Sequence, residues 1–462
     1  MTRHAVVGAA IALALTSCTP DRRIAPLPMP SATASSSAPA VVDARFFLVG
    51  QDPLLARGMN AGLAVRPPYA YIGNRTDPSS GKPHPGVLVV DIGRPASPQV
   101  VGEIAPPPLG TSSRELRIWS EQDLLIVLSM RCEASNHRCS GTGRPSLRFY
   151  DIRGERARSP RLLLEHPTAF EPHEMYLWID PGRPGQALLY VSTDTAGADA
   201  AGMVVLDISD VRRRRVREVA RWSGNRELGG RLHSVGLSRD GTRAYLAHLA
   251  GGFAVLDTSG LARGDAGAEP HLLTDARAAL RWSPGPHSAV PVEGTSFVLT
   301  TDEVYGGAAA CPWGWMRLID VADPAHPRIA GELRTARNEL RACTDAPRSP
   351  RYSFSPHNPT VVDEIALVTW HGAGLVAASL VRGRLSEATV FEPRPLERVG
   401  TEDPRLTAGP VKVAMWSTPI VADGLIYVVD VRNGLYVLRY EGPGADAIAR
   451  TRFAEGNSNA AG

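Results

Sequence analysis

The chain has 462 residues, 43% of them hydrophobic and 21% charged, which is typical of a folded globular protein and excludes a largely disordered chain. Its formal net charge of +3 is small for this length, so the charge gives no indication of nucleic-acid binding. The class of protein therefore has to be found in the order of the residues.

The first 42 residues predict export and a flexible connection to a folded part. Arg3 and His4 precede an apolar run from Ala5 to Leu15, which is typical of a secretory signal and too short to span a bilayer. Residues 19–42 are rich in Pro, Ser and Ala and cannot form a core. We assign residues 1–17 to a signal peptide and residues 18–42 to a solvated tether.

The signal ends in Leu15-Thr16-Ser17-Cys18. This ending resembles the lipobox of bacterial lipoproteins, which implies that Cys18 is acylated, for example with palmitate, and becomes the mature N-terminus. An ordinary signal peptide with an accidental cysteine is the alternative. Attachment to the membrane would then be through lipid alone. We expect an extracytoplasmic protein anchored to a bacterial membrane, and the sequence leaves inner and outer membrane open.

A short pattern recurs seven times along the rest of the chain: usually a small residue, then an alternating apolar run and usually an Asp. The alternation predicts β-strands, and so short a unit can bury its apolar faces only against copies of itself. The copies are Gly86–Asp91, Ser146–Asp151, Gly202–Asp207, Gly252–Asp257, Trp315–Asp320 and the degenerate Gly374–Ser379 and Gly434–Arg439.

Each copy belongs to a larger unit of four strands. In the clearest unit, the first three strands are predicted at His233–Leu237, Arg243–Ala247 and Phe253–Asp257, with a fourth near His271–Thr274. Seven such units predict an all-β, seven-bladed β-propeller with four-stranded antiparallel blades, because closing the ring hides the sheet edges. The propeller would span residues 43–442, followed by a C-terminal tail at 443–462.

The last unit lacks an obvious fourth strand, so another segment of the chain must supply the strand that closes the ring. The segment Arg45–Gly50 resembles the outer strand Gln99–Glu103 of the first unit. We predict that this N-terminal segment supplies the missing strand. The alternative donor is Ile448–Phe453.

Two of the copies carry a family resemblance. Leu88–Pro95 and Leu318–Pro327 resemble the LVIVD repeat. The resemblance implies a secreted or surface β-propeller of a family largely without assigned activity. It supports the fold and indicates no reaction.

The five cysteines fit an oxidising compartment. If Cys18 is lipidated, four remain, and they allow three pairings. We favour Cys132 with Cys139 and Cys311 with Cys343, because each pair joins neighbouring loops. No two of them are spaced as in C-x-x-C, which disfavours a metal site built from all four.

Four histidines recur at one position, where the chain enters the innermost strand beside the channel: His173, His233, His287 and His357. Four imidazoles on one axis suit a transition ion such as copper, iron, zinc or nickel. Neighbouring groups from the same mouth could orient the imidazoles or complete the site. These are Glu174, Asp194, His248, Asp302, His371 and Asp430, and Glu303 lies in the same mouth loops.

The same repetition also fits a structural role, because a histidine at this junction of WD-repeat propellers hydrogen-bonds within its own blade. Both interpretations stay open. Ser234 and Ser288 adjoin two of the histidines, but adjacent residues on a strand point to opposite faces, so neither pair is predicted to form a catalytic dyad.

The leading functional hypothesis is a module that binds a protein or small-molecule ligand through the channel mouth. The alternative is a metal-dependent oxidoreductase or hydrolase that uses the four histidines, with a transition-metal ion as cofactor. The sequence does not decide between a binding protein and an enzyme. The expected partners are the membrane, through the lipid, and an unidentified ligand, with no nucleic acid. We expect a monomer, because a closed ring leaves no sheet edge to pair.

Overall fold

The computed structural model of the protein describes residues 44–460, apart from 133–136, 138, 140–142, 194–201, 307–310, 312, 340, 343–348 and 350. The signal peptide, Cys18 and the tether lie outside the described residues, as do Asp194 and Cys343. Among the described residues, no helix is both long enough and apolar enough to cross a membrane.

The predicted seven-bladed β-propeller is confirmed. Six blades are four-stranded antiparallel sheets, and the seventh sheet has five strands. β1 (Arg45–Asp52) comes first in the chain and belongs to the last blade. The strands of blades one to three are β2 (Asn60–Arg66), β3 (Tyr69–Asn74), β4 (Val87–Asp91), β5 (Gln99–Ile104), β6 (Thr111–Trp119), β7 (Leu124–Arg131), β8 (Ser146–Asp151), β9 (Arg161–Pro167), β10 (Pro172–Ile179), β11 (Ala187–Thr193), β12 (Met203–Asp207) and β13 (Arg217–Trp222).

The remaining blades continue in chain order, with the first strand of each blade innermost. Blades four to six contain β14 (Ser234–Leu237), β15 (Arg243–Ala247), β16 (Phe253–Asp257), β17 (His271–Leu272), β18 (Ser288–Pro291), β19 (Phe297–Thr301), β20 (Met316–Asp320), β21 (Arg328–Leu333), β22 (Pro356–Val362), β23 (Ile365–Trp370), β24 (Gly374–Ser379) and β25 (Ser386–Phe391). Blade seven contains β26 (Ile420–Ala422), β27 (Leu425–Asp430), β28 (Gly434–Glu441), β1 and β29 (Phe453–Glu455).

Helices are short and lie in the connections between strands. The α-helices that the structure describes in full are α1 (Asn225–Leu228), α2 (Ser259–Arg263) and α3 (Ala445–Arg450). Single turns of 3₁₀ helix are Leu54–Ala56, Pro78–Ser80, Ser120–Gln122, Gly154–Ala157, Val211–Arg213, Leu249–Gly251, Ala336–Asn338, His371–Ala373 and Val381–Gly383.

The Asp that recurs in the sequence pattern ends the third strand of a blade. In Asp91, Asp207 and Asp257, the carboxylate Oδ1 accepts the backbone N–H two residues further on, at 2.8, 2.9 and 2.7 Å. Such a local bond replaces the next rung of the sheet and turns the chain. The repeated Asp therefore has a structural explanation in each of these blades.

Of the eight buried apolar clusters among the described residues, seven each join two neighbouring blades. Trp119 of blade two, for example, belongs to the same cluster as Met175 and Leu177 of blade three. The cluster that contains Ile72 of blade one and Ile420 of blade seven completes the circle. Each blade thus buries both faces against its neighbours, which explains why a unit of this size repeats.

The ring closes through the N-terminal segment, as predicted. β1 pairs antiparallel with β28, from Arg45 opposite Glu441 to Asp52 opposite Leu435. The alternative donor does not form an outer strand, because α3 covers its first half and Phe453 belongs to β29, which pairs with β26. The chain then adds β29 to β26, on the channel side of blade seven.

The end of the chain crosses the channel from blade seven to blade three. The carbonyl oxygen of Asn457 accepts hydrogen bonds from the backbone N–H of Leu177, at 3.1 Å, and from Nε of Arg117, at 3.2 Å. The side chain of Asn459 bonds both backbone groups of Ile179. Leu177 and Ile179 lie at the end of β10 remote from His173, so the crossing segment lies at the opposite end of the channel.

The predicted disulfide between Cys132 and Cys139 is confirmed, with Cα atoms 5.6 Å apart. Cys311 is also disulfide-bonded. Its expected partner, Cys343, lies outside the described residues.

Candidate functional site

A cavity of about 500 Å³ opens at the end of the channel where the innermost strands begin. His173 and His357 are the second residues of β10 and β22, and His233 and His287 directly precede β14 and β18. This shared position brings all four predicted histidines to the cavity wall. The ring centroids of successive histidines lie 4.4, 3.8 and 4.5 Å apart, so the imidazoles form one continuous row.

Backbone carbonyls of the next blade orient two of the imidazoles. Nδ1 of His233 lies 3.1 Å from the carbonyl oxygen of His287, and Nδ1 of His357 lies 2.6 Å from that of Trp416. A nitrogen that faces a carbonyl must carry the proton, which leaves the lone pair on Nε2. The bonds run between blades, whereas the structural interpretation expected them within one blade.

Hydroxyl groups fix the histidine backbone in the same way. Ser192 Oγ donates to the carbonyl of His233 at 2.6 Å, and Ser234 Oγ donates to that of His287 at 2.5 Å. Ser288 also contacts its neighbour, since its Oγ lies 2.9 Å from Nδ1 of His287. The expectation that these adjacent side chains point apart was wrong, because His287 precedes the strand and does not follow its alternation.

Glu303 lies at the centre of the cluster. Its Oε2 is 3.3 Å from Nε2 of His287, and its Oε1 is 3.4 Å from Nε2 of His357. The same Oε1 is 3.2 Å from Nε2 of His371, which reaches the cluster from the loop after β23. One carboxylate therefore faces three imidazoles.

Burial and mutual contact shift the pKa values of this cluster. Burial alone would raise the pKa of Glu303, but His287 and His357 outweigh it and lower that pKa well below its usual value. Burial alone would lower the pKa of His287, and Glu303 outweighs it and raises that pKa. Burial lowers the pKa of His233 and His357 well below the ordinary value, so these imidazoles are neutral at physiological pH.

Two further predicted residues line the cavity beside the cluster. Burial, together with the charges of Arg231 and Arg114, lowers the pKa of His173 to about 3. Its Nε2 lies 2.8 Å from Nε2 of His233, a hydrogen-bond distance. Glu174 Oε1 lies 3.8 Å from Nδ1 of His233, and burial raises the pKa of Glu174 to about 8. His173 and Glu174 therefore support His233.

The distances around Glu303 fit a metal ion. With ligand bonds of about 2.0–2.1 Å, neighbouring ligand atoms of a tetrahedral site lie about 3.3–3.4 Å apart, which matches the spacing between Glu303 and its three imidazoles. Two triads share this carboxylate, namely Glu303 with His357 and His371, and Glu303 with His233 and His287. Imidazole and carboxylate donors suit zinc, iron and copper.

Three predicted residues do not join the cluster. His248, which follows β15 of blade four, contacts Trp222 of blade three edge-on, with ring centroids 5.8 Å apart. Asp302 binds Nε1 of Trp282 at 2.8 Å and the guanidinium of Arg317. Asp430 accepts backbone N–H groups of Ala414, Arg432 and Asn433 at 2.7–2.8 Å. These carboxylates are used in stabilising loops and do not orient the four histidines.

The central place of Glu303 and several other residues of the cavity wall were not predicted from the sequence. Glu303 was one of several acidic residues in the mouth loops, and nothing in its sequence context singled it out. Arg75, Arg114 and Trp416 also line the cavity. They come from three different blades, so no local pattern connects them.

No known family model matches the sequence, and no curated protein matches it. Among solved structures, the chain is similar to Sqt1 from Chaetomium thermophilum, with 15% sequence identity, a TM-score of 0.46 and coverage of 87% of each chain. A second structure of that protein, bound to the N-terminus of ribosomal protein L10, is similar at 15% identity and a TM-score of 0.45, covering 85% of this chain and 89% of that chain. This likeness concerns the overall fold alone.

Proposed function

We propose that the protein binds a divalent transition-metal ion at Glu303 and the surrounding histidines, and that this centre acts on a ligand entering through the channel mouth. One observation carries the proposal. Nε2 of His287, Nε2 of His371 and Oε1 of Glu303 are buried, and although they lie 3.2–3.3 Å from facing atoms of the cluster, they make no hydrogen bond of good geometry among the described residues. An unpartnered buried polar atom costs about 1–3 kcal/mol, so three of them at one point call for a ligand.

A purely structural role explains only one of the two ring nitrogens of His233 and His357, namely Nδ1. The bonds to the carbonyls of His287 and Trp416 use Nδ1 and would be the same in a structural cluster. They leave the Nε2 lone pairs directed at one another and at a carboxylate. A carboxylate and imidazole lone pairs that converge on one point form a set of donors that a transition-metal ion would bind.

The position of the cluster favours chemistry over a closed structural site. Catalytic metal sites use three protein ligands and keep one position for water or substrate. Glu303, His287 and His357 line the open cavity, so an incoming ligand reaches them directly. A bound ion there would activate water or exchange electrons, according to its identity. We therefore favour the metal-dependent oxidoreductase or hydrolase, which also contains the broader role of binding a ligand at the channel mouth.

The proposal includes the cellular location. Acylation of Cys18 rests on its lipobox-like context, and it would hold the propeller outside the cytoplasm through the tether. The disulfide between Cys132 and Cys139 is consistent with an oxidising compartment.

The test is a direct measurement of bound metal. Full-length protein in detergent is stripped with a chelator, dialysed against zinc, iron(II) or copper(II), and examined by inductively coupled plasma mass spectrometry. We expect one or two ions per chain in the wild type and a loss of at least one in Glu303→Gln. His248→Ala, which removes a buried histidine outside the cluster, should keep the wild-type content. Wild-type protein without stoichiometric metal, or Glu303→Gln with unchanged content, would contradict the proposal.

A further inference from the structure

Two buried arginines lie in the same cavity as the proposed metal cluster. Arg75 is 3% exposed and Arg114 is 8% exposed, and both line the cavity. Their guanidinium carbons lie 5.1 and 5.3 Å from the ring centroid of Trp416, so one indole supports both groups. The carbonyl of Trp416 also orients His357, which connects the arginines to the histidines.

These guanidinium groups are incompletely satisfied. Arg75 donates from Nε to Asp403 at 2.9 Å, and its Nη1 has no hydrogen-bond partner among the described residues. Arg114 contacts Nε2 of His137 through Nη1 at 2.8 Å, and its buried Nε has no such partner there either. Each arginine thus presents at least one buried donor that remains to be used.

Another buried arginine of this chain shows what a purely structural role looks like. Arg57 donates from Nε to Asn60 Oδ1 at 2.8 Å. Its Nη1 and Nη2 donate to four backbone carbonyls at 2.6–3.1 Å. All three of its nitrogens are therefore used inside the protein. The contrast with Arg75 and Arg114 indicates that their remaining donors serve a ligand.

The local charge agrees with this interpretation. Asp403 compensates Arg75, whereas Arg114 faces His137, whose pKa is lowered well below the ordinary value by burial and by Arg114 itself. The nearby carboxylate of Glu115 is paired with Arg117 at 3.3 Å. Burial and the charge of Arg75 lower the pKa of Arg114 to about 10, so it remains protonated at neutral pH. Among the described residues, Arg114 forms no ion pair with a carboxylate.

We propose that Arg75 and Arg114 form an oxyanion subsite that holds the carboxylate or phosphate of a small ligand beside the metal cluster. Guanidinium groups recognise both oxyanions through paired N–H donors. A cavity of about 500 Å³ is of the size that takes a small molecule. Tyr305 lies between the two parts, because it interacts with Glu303 and with Arg75. That the anion belongs to the substrate of the metal centre rests on the proposed function, whereas the subsite itself does not.

The subsite is tested on chelator-treated, full-length protein by isothermal titration calorimetry with inorganic phosphate and with malonate. We expect the wild type to bind at least one of them, and Arg114→Gln to weaken that binding about tenfold or more. Arg114→Lys keeps the positive charge but loses the paired N–H donors of the guanidinium, so its anion affinity should lie between those of the wild type and Arg114→Gln. Arg328→Gln, at an exposed arginine paired with Asp320 and away from the cavity, is the matched control and should change the affinity less than about twofold.

The outcomes separate the two proposals. Binding of malonate alone assigns a carboxylate, and binding of phosphate alone assigns a phosphate ligand. If neither anion binds the wild type, or if Arg114→Gln and Arg114→Lys both bind as tightly as the wild type, the subsite is refuted even where metal is present. If anion binding is sensitive to Arg114 while the wild type takes up no metal, the subsite stands and the metal centre fails.

Discussion

Oε1 of Glu303 and Nε2 of His371 lie 3.2 Å apart, although the two residues belong to loops of different blades. Their approach depends on the packing of blade five against blade six, which brings these two loops to one point. A metal ion between them would therefore join neighbouring blades, and its effect should be visible in the stability of the whole propeller.

We predict that a saturating metal ion stabilises the wild type and leaves Glu303→Gln unchanged. A ligand at one hundred times its dissociation constant contributes about 2.7 kcal/mol to the free energy of unfolding. The measurement is the shift of Tm on addition of the metal, by scanning calorimetry. An equal shift in Glu303→Gln would place the ion elsewhere in the protein.

His173 and His371 should behave differently. His371 offers Nε2 to the proposed ion, whereas His173 supports His233 through a hydrogen bond. We expect His173→Ala to retain the metal with an affinity about 10–100-fold weaker, as is typical of residues that orient a ligand. His371→Ala should lower the amount of metal bound at saturation. Titration with a competing chelator measures both the affinity and the amount of metal bound. If the two variants behave alike, the distinction between His371 as a ligand and His173 as a supporting residue is wrong.

Lipidation predicts a change of location on a single substitution. Cys18→Ser removes the thiol that the lipobox-like ending provides, so the protein should no longer incorporate labelled palmitate and should leave the membrane fraction. Cell fractionation with an immunoblot measures the distribution. Thr19→Ser, beside the cysteine, is the control and should remain in the membrane fraction. Membrane retention of Cys18→Ser would show that another feature holds the protein there.

Asp151 gives a prediction for the dependence of stability on pH. Its buried carboxylate binds the guanidiniums of Arg153 at 2.8 Å and of Arg156, and chiefly the bond to Arg153 lowers its pKa. A lowered folded-state pKa stabilises the protein above the unfolded value of about 3.9, and this contribution disappears as the pH falls further. We expect Asp151→Asn to cost about 1–2 kcal/mol at pH 7, since the arginines are partly exposed.

The difference in unfolding free energy between wild type and Asp151→Asn should stay constant near neutral pH and shrink below about pH 5. Urea denaturation at several pH values measures it. Asp265→Asn, at an exposed carboxylate bound to exposed Arg263, is the control and should show a much smaller difference. A gap that widens toward low pH would contradict the assignment.

The fold could be predicted from the sequence because each blade repeats the same local choices. Alternating apolar residues, a turn and a terminal Asp recur at regular intervals, and the strands Arg243–Ala247 and Phe253–Asp257 were predicted at their observed bounds. The N-terminal closing strand was also recognisable, because it resembles the outer strand of blade one. Local and repeated patterns of this kind can be recognised in the sequence alone.

The site was only partly predictable for the opposite reason. The four repeated histidines follow from register, and the structure brings them together. Glu303 becomes central through the direction of a loop, and Arg75, Arg114 and Trp416 meet through contacts between distant blades. His248 and Asp430 occupy similar loops and turn elsewhere. Sequence position places a residue at a mouth, whereas the side-chain packing decides where it points.

The segment that crosses the channel favours access to the cavity from the histidine end. Asn457 and Asn459 bind the far end of β10, so passage at that end would break several hydrogen bonds. Exchange by the histidine mouth breaks none of them. Under the proposed function, substrate and product would use the same entrance, and the product would have to leave before the next substrate could bind. If the proposed metal centre is catalytic, slow release of product would limit the rate, and a bulky analogue bound in the mouth would inhibit the reaction without contacting the metal.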